Sequence, residues 1–156
     1  VHAQAQVAHF DSVAHRQPRQ WVFGINANLP DDVAVTWATE VSDDFDARRS
    51  ALDRCYRYRL VRTAARPVLW RHRALWIREQ LDLGAMSAAA SHMLGERDFS
   101  ALRAAGCQSS TPMRCVTAIR AAYTPPFVLI DVTANAFLYH MVRNMVGLLL
   151  TVGTGS

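Results

Sequence analysis

Apolar residues recur along this chain with two periods. Alternating runs of period two mark separate short stretches, and one long run with helical spacing lies near its end. Residues 4–11 read as a strand ending at Asp11-Ser12. Residues 18–27 read as a short helix with Pro18 near its first turn, where the missing N–H costs nothing. A turn at 28–32 leads into residues 33–41. These alternate cleanly, with Val33, Val35, Trp37 and Val41 on one face, the pattern of a half-buried strand. The acidic stretch 42–46 then marks a boundary between two halves.

Residues 52–62 predict a second-half strand with Arg54, Tyr56, Tyr58 and Leu60 on one face and Cys55, Arg57, Arg59 and Val61 on the other. Pro67 breaks the chain. Asp82 is placed to cap a helix reaching Leu94, with Met86, Ala90, Met93 and Leu94 inward. Residues 95–114, rich in Gly, Ser, Gln and Arg, read as loop. Two strands follow at 116–123 and 127–133, joined at Pro125-Pro126. The strongest helix signal covers 136–152, where Leu138, Met141, Val142, Met145 and Leu149 form an apolar face. His140, Arg143, Asn144 and Gly147 share the opposite face. Strands and helices mixed in this order predict an α+β fold with a mainly antiparallel sheet.

Charge adds a direction to this outline. The 156 residues carry a net charge of +4, and all 17 basic residues are Arg. Ten of them fall between Arg48 and Arg78, against the single acid Asp53. Guanidinium forks suit phosphate oxygens, so the cluster suits a phosphate-rich partner or a solvated basic face. An all-arginine composition also fits a GC-rich genome. Cys55, Cys107 and Cys115 have no metal spacing, and one would be left unpaired, which fits a reduced cytosolic (cytoplasmic) setting. The six His show no zinc pattern, so no metal is expected. No run of about 18 apolar residues exists to span a membrane.

Three constellations can carry chemistry. Tyr56 and Tyr58 alternate with Arg on one strand, a surface that can stack a base or simply fill a core. Arg143 sits in an apolar helix, where it either snorkels to water or holds an anion, and by itself the helix favours snorkelling. The hydroxyls, amide and Arg of loop 104–114 can meet phosphates or form an ordinary polar loop.

Taken together, six segments resemble the tRNA pseudouridine synthase A family in order and spacing. They are 1–11, Ile25-Asn-Ala-Asn-Leu-Pro-Asp-Asp32, Asp43-Asp-Phe-Asp-Ala-Arg48, Tyr56-Arg-Tyr58, Leu94-Gly-Glu-Arg-Asp-Phe99 and Ala134-Asn-Ala-Phe-Leu-Tyr-His-Met-Val-Arg-Asn-Met-Val-Gly147. Loop 104–114 departs from that pattern at Ser110 and Met113, where the family commonly has Arg and Trp.

The resemblance implies isomerisation of uridine to pseudouridine at positions 38 to 40 of the tRNA anticodon arm. Uracil is detached from C1′, rotated and rejoined through C5, without a cofactor. It implies Tyr56 as the active-site Tyr lying against the base. Arg143 becomes the Arg that pairs with the nucleophilic Asp, which supplies the anion the helix alone did not suggest. That Asp is expected three residues before Val1, so residues 1–156 would be inactive by themselves. Arg48, Arg54, Arg103, Arg114 and His140 are candidate RNA contacts. The implied pseudouridine synthase fold has two ferredoxin-like α/β halves whose sheets join across a basic cleft. Residues 1–43 would end the first half and residues 44–156 would form most of the second, in a homodimer that binds tRNA. If the chain truly begins at Val1, a non-catalytic RNA-binding module is the alternative.

Overall fold

The computed structural model describes residues 3–155. They form two compact units, Ala3–Ala51 and a second that begins at Leu52.

The first unit holds one helix, α1 (Pro18–Asn26), with Pro18 at its start as expected. The Gln20 side chain accepts the backbone N–H of Gln17 at 2.8 Å and closes the helix entrance. The two strands expected at 4–11 and 33–41 do not form. A strand needs a neighbour for its backbone groups, and this unit supplies none. Instead the Asn26 side chain takes both groups of Val35, accepting its N–H at 2.7 Å and donating to its carbonyl at 2.9 Å. Trp37, meant for a buried face, is 61% exposed.

At the end of this unit the Asp46 carboxylate accepts the backbone N–H groups of Arg48 and Arg49, each at 2.8 Å. These bonds, that of Arg49 first, hold the Asp46 carboxyl below its ordinary value of 3.8. A carboxyl depressed in the folded state adds stability above its unfolded pKa and loses it as the pH falls through the folded one. The Asp46 carboxyl carbon should therefore titrate by NMR with a midpoint below 3.8. A midpoint at or above that value would count against these bonds in solution.

The second unit is built on a five-stranded sheet in the order β2-β1-β5-β4-β3. Its strands are β1 (Arg54–Arg62), β2 (Leu75–Ile77), β3 (Gly95–Asp98), β4 (Met113–Thr124) and β5 (Phe127–Ala134). Only β1 and β2 run parallel; the other pairings are antiparallel. The α+β expectation holds, with one mixed sheet. Helices α2 (Leu83–Ser91) and α3 (Met141–Thr154) cover one face.

Alternation dictates that face. Leu60 of β1, Val128, Ile130, Val132 and Ala134 of β5, and Val116 of β4 point into the core with Met86, Met141, Met145 and Leu149 from the helices. Fully burying one such large side chain contributes about 1.5–3 kcal/mol. Asp82 caps α2 as expected, accepting from the Ala85 N–H at 2.9 Å. Its own N–H donates to the Gly153 carbonyl at 2.8 Å, tying the start of α2 to the last turn of α3. Gly155, at φ 72°, ends α3 in the left-handed conformation glycine tolerates.

Other elements differ from expectation: α2 stops at Ser91 rather than reaching Leu94, and β4 begins at Met113 rather than 116. β2 has three residues, too few to show a period. β3 is Gly-Glu-Arg-Asp, exposed throughout and of low strand propensity; it forms because β4 offers it a ladder at the sheet edge. Helix α3 starts at Met141 rather than at 136. The Asn135 side chain, which could have capped a helix there, accepts the N–H groups of Cys115 and Ala136 instead and holds the end of β5.

Candidate active site

Arg54 and Tyr56 lie on the helix-covered face of β1, opposite Ala134 and Val132 of β5. Both are too near the strand's beginning to be enclosed. The Tyr56 ring is 37% exposed and meets Phe137 edge-on, with centroids 5.1 Å apart. Arg54 donates from Nη1 to the Asn135 carbonyl at 3.0 Å. Both side chains are thus anchored to the connection between β5 and α3.

Arg143 stands at the other end of that connection, in the first turn of α3 and exposed. Among the described residues it makes no hydrogen bond or ion pair. The turn that carries it is clamped from the side. The Asn144 amide donates to the Leu102 carbonyl at 2.8 Å, and Ala104 N–H donates to the Tyr139 carbonyl at 3.1 Å. His140 precedes the helix at φ 59°, a left-handed conformation that costs a non-glycine residue roughly 1–3 kcal/mol. Its ring stacks on Tyr139 at 4.0 Å. The strain directs the chain abruptly into α3, so that Met141 is buried while Arg143 faces solvent.

Arg103 and Arg114 are engaged in holding loop 103–114 together. Arg103 donates from Nη2 to the carbonyls of Cys107 and Ser109, each at 2.8 Å. Arg114 is buried and donates to the carbonyls of Thr111 and Met113 and to the Ser109 hydroxyl, while its Nε finds no partner. The Cys107 thiol is held below its usual pKa, first by the Tyr139 N–H, then by that of Ser109. Arg48 belongs to the first unit, where its backbone N–H closes the Asp46 turn. On the sheet's other face Arg57 forms a two-pronged pair with Asp131 at 2.7 and 2.9 Å, so its charge is already matched.

Sequence reasoning singled out Tyr56 and Arg143 but gave no separate role to Phe137, Asn135 or Asn144. Phe137 and Asn135 stood out only by their place in the segment 134–147, and Asn144 also by sharing a helix face with Arg143. Among the described residues no group of three or more His, Cys, Asp or Glu could hold a metal ion, and no helix is long and apolar enough to cross a membrane.

Aromatic and guanidinium groups at one end of an α+β sheet can stack a base and meet its phosphates. Comparison with known proteins narrows this. Residues 89–156 match the family described as tRNA pseudouridine synthase. Over 155 residues, 99% of the chain, it is 48% identical to the tRNA pseudouridine synthase A of Coxiella burnetii, strain Dugway 5J108-111. It is 50% identical over the same length to the protein of that name from Xanthomonas euvesicatoria pv. vesicatoria, strain 85-10. The chain spans 59% and 60% of the length of these two relatives. Over nearly its whole length it is thus similar to members of the tRNA pseudouridine synthase family.

Proposed function

We propose that the protein isomerises uridine to pseudouridine in tRNA, at positions 38 to 40 of the anticodon arm. The near-50% identity to proteins named tRNA pseudouridine synthase A, extending over 99% of the chain, carries this reading. In it, the carboxylate nucleophile stands three residues ahead of Val1. Arg143 keeps that carboxylate ionised, and Tyr56 lies against the flipped base and assists removal of the C5 proton. The exposed Tyr56 ring and the uncommitted Arg143 guanidinium support these roles.

Arg54 and His140 flank Tyr56 and Arg143 along the chain and are the nearer candidates for RNA contact. Arg48 is a further candidate. Arg103 and Arg114 act on RNA through the loop they brace. The reading includes two ferredoxin-like halves meeting at a basic cleft, a homodimer, and a cytoplasmic setting without a cofactor.

The test is release of tritium from tRNA labelled at uridine C5 by the full-length protein. Tyr56→Phe should keep the fold and the stack on Phe137 yet slow release by roughly a hundredfold or more, the range for a lost proton-transfer group. Release from the wild type at no more than background would reject the isomerase reading.

A further inference from the structure

The segment joining β1 to β2 is the least explained part of the second unit. From Arg54 to Arg78 the chain contains eight Arg and no acid. Arg57 is matched by Asp131, and Arg54 is tied to Asn135. Arg62, Arg66, Arg71 and Arg73 are exposed and make no ion pair among the described residues.

Two open clefts lie along this segment, each of about 340 Å³. One is lined by Arg62, Thr63, Ala64 and Arg78, the other chiefly by Arg66, Arg71, Trp70 and Trp76. The tryptophans are fixed in position. Trp70 packs edge-on against Phe127 at 4.8 Å, and Trp76 donates its indole N–H to the Thr63 carbonyl at 2.9 Å. Arg78 lies over the Trp76 ring at 4.6 Å. Rigid indoles beside unpaired guanidiniums offer an apolar wall for a sugar or base and donors for its phosphates.

We propose that this edge of the sheet is a second RNA contact, which grips the sugar–phosphate backbone away from the target uridine. It rests on the reading of the protein as a tRNA-modifying enzyme. Tyr56 and Arg62 are six residues apart on one strand, so the clefts begin roughly 20 Å from the active-site Tyr. A nucleotide held at Tyr56 therefore cannot occupy them, but a neighbouring stretch of the same RNA can. Charge selects this occupant over a second copy of the chain, which is itself basic, with a net charge of +4.

The experiment compares full-length wild type with the double variant Arg66→Gln/Arg71→Gln, using an unmodified tRNA transcript over a series of salt concentrations. The variant should bind about tenfold more weakly at physiological salt. Its slope of log K against log salt should fall by about two, since each phosphate contact contributes roughly 0.9. Tritium release at saturating tRNA should stay at the wild-type rate while KM rises. Arg66→Lys/Arg71→Lys should retain most of the slope.

A folded Gln variant with wild-type slope and KM overturns the proposal, and so does a variant whose only change is in oligomeric state. The two readings fail separately. Wild type that binds tRNA with a steep salt slope reduced in the variant, but releases no tritium, defeats the isomerase reading and leaves this contact standing. Normal release with an unchanged slope does the reverse.

Discussion

Arg143→Ala is expected to lower tritium release by roughly a hundredfold to a thousandfold, the loss seen when one preorganised charge-stabilising donor is removed. Its thermal stability should stay within about 0.5 kcal/mol of wild type, as for other surface substitutions. The two expectations belong together. Arg143 is exposed in the first turn of α3 and has no hydrogen bond or ion pair among the described residues, so the fold loses little with it. This guanidinium, which the fold does not use, sits on a turn clamped through Asn144 to Leu102 and preceded by the strained His140, and it is free to meet an outside anion. In the isomerase reading that is the catalytic carboxylate. Arg143→Lys should recover only part of the rate, because an ammonium keeps the charge but not the planar fork. Release at the wild-type rate from Arg143→Ala would show that this side chain merely reaches for water.

The largest expected effect on stability lies where α2 and α3 touch. A Cβ at Gly153 would stand 2.8 Å from both Cγ and Sδ of Met86 and 3.4 Å from Cδ2 of Leu81. Met86 is fully buried and has little room to withdraw. Gly153→Val should therefore force the helices apart and cost about 1–3 kcal/mol, the usual range for overpacking. Met86→Ala alone should cost about 2–5 kcal/mol through the cavity it leaves. The double variant should cost clearly less than the sum, because the valine enters the space the methionine vacates. Urea unfolding midpoints of the four proteins measure this. Strict additivity would mean that the two residues do not share that space.

Much of the second unit was legible in the sequence. Period-two alternation located β1, and the two runs on either side of Pro125-Pro126 located β4 and β5; each strand has residues in the core under the helices. Asp82 announced α2 because a carboxylate before a run of small and apolar residues satisfies the first free N–H groups. The elements that escaped are those whose reason lies elsewhere in the chain. β3 is polar and exposed and exists only as the partner of β4. Residues 33–41 alternate well, yet Asn26 occupies the backbone of Val35 and no strand stands beside them in their unit.

The same division runs through the candidate site. Tyr56 and Arg143 were marked by residue type and by resemblance, and Arg143 was ambiguous until the resemblance supplied an anion. Burial and hydrogen bonding then separated arginines that look alike as letters. Arg114 is buried and braces its loop, Arg57 is matched by Asp131, and Arg143 is left with its charge uncommitted.

The sequence by itself determined the α+β class, the inward face of the main strands, the apolar stripe of α3 and the family resemblance. Those are written in local periodicity and in residues kept in register. Only the tertiary structure decided where α3 begins, which guanidiniums are spent on the fold, and that Phe137 supports Tyr56. Each of these depends on a partner distant in the chain, and a side chain's chemistry does not say which distant group will meet it.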